Sequence, residues 1–234
     1  MRQEANLIET SGRFLYLQRS SAAAIGSLAW SAVAVQLYFN VEDALIHNEP
    51  IRAHVVAFFS YFTVETNISI ALVLTLTWAF PKPNRFLTSP SITSALVVYI
   101  IVVGVVYELF LRHLWHPHGM RLFADMVLHD AIPLLYSLYW LFLLPKGSLR
   151  WSDPLNWLSY PILFFVYTMF RGLASGLYPY PFLNAGELGF ERVGANAVVF
   201  LFVFIGLGAG VTAVDRALSA DDRDRSGIGS TAEL

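Results

Sequence analysis

The chain has 234 residues, is 56% hydrophobic and carries 14% charged residues, where an average soluble domain carries about 25%. Its net charge of −2 offers no basic footprint for nucleic acid. The absence of cysteine excludes disulfides, thiolate nucleophiles and thiolate metal sites.

Crossing a bilayer takes about 20 consecutive apolar residues. Six runs qualify, over 22–39, 55–80, 92–114, 122–144, 155–178 and 193–214. The expected fold is therefore all-α: a polytopic membrane protein, a six-transmembrane-helix bundle occupying 1–218. The first run follows a charged leader of 20 residues and reads as a span, not as a cleavable signal. Pro81, Pro83, Pro90, Pro117, Pro145 and Pro154 fall at the junctions, where a missing N–H costs least. Trp78, Trp115, Trp151 and Trp157 sit near span ends, as an aromatic belt does. The polar residues 219–234 read as a disordered tail.

The basic residues are asymmetric. Arg2, Arg13, Arg19, Lys82, Arg85, Lys146, Arg150, Arg216, Arg223 and Arg225 fall on one side of the six runs. Arg52, Arg112, Arg121 and Arg192 fall on the other. The positive-inside rule then puts both termini in the cytoplasm.

Ionisable groups inside spans are costly and mark candidate sites. The second run carries Thr63, Glu65, Thr66 and Asn67, and the third carries Tyr107 and Glu108. The fourth carries Asp125, His129 and Asp130, and the fifth carries Arg171 and Ser175. At 1.5 Å per residue, Thr63, Glu108, His129 and Arg171 would each lie about 9–12 Å below the outer end of a continuous helix. Two readings follow: an internal ion-pair network that fixes packing, or an outward-facing polar pocket among spans two to five. The shared depth favours the pocket. His129 suits a general base, with Asp125 one helical turn earlier on the same face to orient it. Thr63 offers a hydroxyl nucleophile, although a threonine in a span commonly bonds back to its own helix.

The run His113-Leu-Trp-His116-Pro-His118 raises a metal site, but Pro117 interrupts the helix and no H-E-x-x-H pattern is present, so no metal is expected. The spacing Gly172-x-x-x-Gly176 is that of close helix contact. Both lysines, Lys82 and Lys146, fall in loops, which excludes a Schiff base inside the bundle. No phosphate-cradling glycine loop occurs, so no nucleotide cofactor is expected.

Three stretches, Tyr61-Phe-Thr-Val-Glu-Thr-Asn67, Leu128-His-Asp-Ala-Ile-Pro133 and Tyr180-Pro-Phe-Leu-Asn184, come in order along the chain. With them the chain resembles the androgen-induced-gene family of multi-pass membrane proteins, and within it a bacterial branch. Animal members of that family hydrolyse fatty acid esters of hydroxy fatty acids. The resemblance implies Thr63 as nucleophile, His129 as base, no cofactor, a lipid or other amphipathic ester as substrate, and a bacterial inner membrane as location. One extra residue separates Thr63 from Asn67 relative to the family pattern, which leaves Thr66 as an alternative equivalent. Asp125 or Asp130 would support the imidazolium, and Arg171 or Asn67 the oxyanion or a fatty carboxylate. Glu65, Glu108 and Tyr180 complete the candidate lining. The alternative function is a proton-coupled transporter or binding protein for a small amphipathic or anionic ligand, with Arg171 as anion site and the carboxylates as relay.

Overall fold

A computed structural model of the chain describes residues 2–80 and 86–228, with side chains over 12–80 and 86–219. Pro81, Lys82, Pro83 and Arg85 of the expected inner loop lie outside the described residues. The expected disordered tail is described only as backbone to Ile228, as the end of a helix, and 229–234 lie outside. No strand occurs among the described residues, so the all-α expectation holds. The chain divides into two compact units, Met1–Leu144 and Pro145–Leu234.

In the first unit, α1 spans Arg2–Ile46, well past the expected end near Phe39. No proline interrupts it before Pro50. Its buried face is Ala22, Ile25, Ala29, Ala32 and Val33. That is a three–four spacing of mostly small side chains, which lets a second helix approach closely. The partner is α3 (Phe62–Ala79), and Trp30 Nε1 donates across to Thr75 Oγ1 at 3.0 Å. Glu42 and Asp43, which hydropathy assigns to a loop, stay helical because Arg121 neutralises them. Arg121 holds both Asp43 oxygens at 2.7 Å and reaches Glu42 at 3.4 Å.

The expected second span is divided. The helix α2 (Ile51–Phe58) stops before α3. Between them the chain tightens, with Ser60 N donating to Ala57 O at 3.0 Å and Tyr61 N to Phe58 O at 3.3 Å. Thr63 consequently stands in the first turn of α3 and not deep within a continuous helix from residue 55.

The next two helices share an irregularity. The helix α4 (Pro90–Val106) opens on a Ser89 cap and Pro90, then widens into a π-helical turn, Tyr107–Leu111, before a 3-10 turn, Arg112–Leu114. The helix α5 (Met120–Met126) widens into a second π turn, Val127–Ala131, and continues as α6 (Ile132–Leu143). Such turns are rare and gather at functional sites.

In the second unit, α7 (Asp153–Trp157) and α8 (Ser159–Ser175) take the place of the expected fifth span. Pro161 has no N–H for the Trp157 carbonyl, which favours a stop at that residue. The helix α8 ends on Gly176, whose φ of 73° suits the left-handed cap. Gly172 leaves room for the Tyr178 ring, so the first glycine of this pair admits the chain's own return and the second caps the helix. The helix α9 (Ala185–Ile228) turns at Gly189. Near its end the buried Asp215 accepts from Leu149 N at 3.0 Å. Burial lowers the nearby Lys146 to about 8, against the opposing pull of the Asp215 carboxylate.

Five described helical stretches are long and apolar enough to cross a bilayer: Gly12–Ile46, Phe62–Ala79, Pro90–Leu114, Met120–Leu143 and Ala185–Ser219. The chain is therefore a multi-pass helical protein with a membrane-embedded character. The α8 stretch has 17 residues, one fewer than Phe62–Ala79.

Candidate active site between the two π turns

The two π turns face each other, and the ionisable residues of the expected third and fourth spans meet there. Asp125 is 3% exposed and is the hub. Its Oδ2 accepts from the Tyr107 hydroxyl in a short hydrogen bond, and its Oδ1 accepts from Trp115 Nε1 at 3.3 Å. The same Oδ1 lies 3.3 Å from His129 Nδ1, which is also 3.0 Å from the Asp125 carbonyl oxygen. His129 stacks on the Tyr107 ring, with centroids 3.8 Å apart and planes 15° from parallel. With Nδ1 directed at Asp125 oxygens, Nδ1 carries a hydrogen, and in the neutral ring the lone pair then falls on Nε2. That is the state of a general base.

A second cluster lies beside the first. Arg112 Nε donates to Glu108 Oε2 at 2.8 Å, and its Nη2 donates to Glu108 Oε1 and Asp130 Oδ1. The guanidinium also lies over the Tyr107 ring, 4.9 Å from its centroid. Its hydrogen-bonding capacity is largely taken by two carboxylates.

Pro133 helps explain the second π turn. In a regular helix Ile132 N–H would serve the Leu128 carbonyl, but here it donates to Val127 O. The next residue, Pro133, has no N–H to offer. Asn67, wholly buried on α3, fills the gap: its Nδ2 donates to Leu128 O at 3.2 Å and to Thr63 O at 2.9 Å. Two of the sequence segments singled out above are thus joined by a hydrogen bond. Gly104 lets α4 come close, since a Cβ there would stand 3.2 Å from His129 O and 3.2 Å from Pro133 Cβ.

The remaining candidates are placed as follows. Thr63 is 8% exposed, one turn before Asn67 on the same face of α3. Thr66 and Asn67 are buried, and the Thr66 Oγ1 and Asn67 Oδ1 atoms have no hydrogen-bond partner among the described residues. Glu65 is half-buried, and its carbonyl accepts from Ser69 Oγ at 2.8 Å. Arg171 and Tyr180 belong to the second unit. There Arg171 Nη1 donates to Leu177 O at 2.9 Å, bracing the end of α8. Tyr180 is buried and stacks on Phe182 at 5.2 Å.

Arg112 and Trp115 are the members that sequence reading assigned elsewhere, to the loop charge count and the aromatic belt. Arg112 was findable: it stands four residues after Glu108, the spacing of a helical ion pair. No group of three or more histidine, aspartate or glutamate side chains is arranged to hold a metal among the described residues.

Fold and site together define a multi-pass helical protein with an Asp–His pair held between two π turns. No protein-family model, curated protein or solved structure matches the chain.

Proposed function

We propose that this protein is an intramembrane hydrolase of lipid-like esters, related to the androgen-induced-gene family. The observation that carries the reading is the Asp125–His129 pair. A buried carboxylate beside one imidazole nitrogen aims the other as a base, which is the orienting role of aspartate in hydrolytic triads. In this reading His129 Nε2 takes the proton of the Thr63 hydroxyl, whose oxygen attacks the ester carbonyl. The tetrahedral oxyanion collapses with departure of the alcohol, which takes the proton from His129. Water then repeats the sequence on the acyl-threonine and frees the acid. The support for Thr63 is its place one turn from Asn67, which bonds the residue preceding His129.

The split α7–α8 segment is the fifth crossing in this reading and brings the total to six, with both termini cytoplasmic and the chain in a bacterial inner membrane. The test is ester turnover by purified protein with Thr63→Ala, alongside Thr66→Ala. Loss with the first alone supports Thr63, and loss with the second alone moves the role to Thr66. Full turnover in both variants sinks the threonine assignment.

One observation favours a transport reading: the half-exposed Glu108–Arg112–Asp130 cluster puts exchangeable carboxylates beside the histidine. That reading predicts uptake into proteoliposomes driven by a pH gradient, with the ligand recovered unchanged.

A further inference from the structure

A groove of about 730 Å³ lies in the first unit, between the flank of α1 that carries Tyr16, Arg19, Ala23 and Ser27 and Trp78 at the end of α3. It is remote from the π turns: at 1.5 Å per residue, Trp78 stands about 22 Å along α3 from Thr63. Both helices that form it are long and apolar enough to cross a bilayer. Along α1 the lining changes from Tyr16 and Arg19 to Ala23, Ala24 and Ser27, about 12 Å from the arginine to the serine.

Arg19 is half-buried and donates from Nη2 to the Trp78 carbonyl. That carbonyl is one of those that the last turn of α3 leaves without a helical N–H. The bond uses one of several guanidinium donors. Among the described residues no carboxylate pairs with Arg19. The cation is therefore fixed in place by a neutral acceptor and keeps its charge for another partner. This sets it apart from Arg112 and Arg121, each of which is held by carboxylates.

The rim also has the side chains of a membrane interface. Trp78 and Tyr16 are both exposed, and such rings favour the head-group level. Beyond them the small Ala23, Ala24 and Ser27 leave a slot beside α1. A cationic, donor-rich rim above a slot of small side chains is complementary to an amphiphile that lies along the spans. A guanidinium binds phosphate oxygens in pairs. A zwitterionic lipid brings its own cation to the rim, which weakens the match.

We propose that this groove binds an anionic phospholipid of the surrounding bilayer, with the phosphodiester on Arg19 and the upper part of an acyl chain along Ala23, Ala24 and Ser27. The lipid then ties the end of α3 to α1 through the same guanidinium. The site is separate from the one between the π turns and does not depend on the hydrolase reading. Arg19 is only half-buried, so the selectivity is moderate and falls with salt.

The experiment is photo-crosslinking on full-length protein in phosphatidylcholine nanodiscs at low salt. The probes are phosphatidylglycerol and phosphatidylcholine with the same chains, each carrying a diazirine near the top of one chain. Peptide mass spectrometry reads the adducts over residues 20–27, normalised to those at the exposed Leu134 and Leu138 of α6. Expected is a yield about fivefold higher with phosphatidylglycerol, the scale of a favourable half-exposed charge pair. Arg19→Met should bring the two yields together. Should that variant unfold for want of the α3 cap, Ala24→Phe decides: Ala24 is exposed, and the ring fills the slot while leaving Arg19 in place, so the phosphatidylglycerol yield should fall. An excess of glycerol 3-phosphate should leave the wild-type yield unchanged. Equal yields in the wild type would mean that Arg19 only caps α3, and that result overturns the proposal. So does a preference that survives Arg19→Met, a yield untouched by Ala24→Phe, or the absence of adducts over 20–27 from either lipid. Displacement by glycerol 3-phosphate would hand the site to a free phosphate and overturn it as well.

Discussion

Asn67 Nδ2 lies 3.2 Å from the Leu128 carbonyl oxygen, and that bond ties α3 to the π turn that carries His129. The carbonyl is available because Ile132 N–H serves Val127 and Pro133 has no N–H. A side chain 61 residues away thus supplies what the helix lacks.

Replacing Asn67 by alanine should cost about 1–3 kcal/mol, the penalty for stranding a buried carbonyl. Thermal or denaturant unfolding in detergent measures it. Adding Pro133→Ala should recover part of the loss, because residue 133 then regains an N–H and the π turn can relax to a regular helix. Strictly additive effects of the two changes would rule out this coupling.

Asp125→Asn should leave the fold largely in place, because its one amide oxygen can still accept from Trp115 Nε1 while its amide nitrogen donates to the Tyr107 hydroxyl oxygen. It removes the charge facing His129 and lets the imidazole adopt the wrong tautomer. Turnover should fall by a factor on the order of 10²–10⁴ with KM little changed, the size of a lost base. A fall in KM-type binding with kcat intact would instead mark Asp125 as a ligand contact.

Gly104→Ala should destabilise the first unit by about 1 kcal/mol and Gly104→Leu by more, as overpacking does. The neighbours it would meet, His129 O and Pro133, are backbone and ring, with little freedom to yield. The same variants should alter the His129 reaction with diethyl pyrocarbonate. An unchanged unfolding midpoint for the leucine variant would contradict the close approach.

Lys146 titrates near 8 in the folded chain, below the 10.5 of an exposed lysine. A depressed lysine means that the unfolded chain binds more protons between those values, so stability rises as pH climbs through that window. Below about 8 the folded chain carries the full penalty of a desolvated ammonium. Lys146→Met should therefore raise the unfolding midpoint at pH 7, with the gain shrinking towards pH 10. The effect should be small because the side chain is only half-buried. A variant that tracks the wild type at every pH would show that the amine feels no such burial.

Hydropathy along the chain determined the all-helical, multi-pass character, because a bilayer requires long apolar stretches whose backbone groups are satisfied internally. Composition and spacing also marked Asp125, His129 and Asp130 as costly residues on neighbouring turns. Hydropathy was silent where a polar group's partner lies far off in sequence. Glu42 and Asp43 look like a loop until Arg121, 78 residues on from Asp43, is seen to neutralise them within a helix. The stop after Phe58 and the division at Leu158 are backbone decisions taken over a few residues, below the resolution of a 20-residue apolar window. The π turns were equally hidden. The second of them depends on a missing proline N–H, a glycine that admits a neighbouring helix and an asparagine on a third helix, and only the folded chain brings those three together.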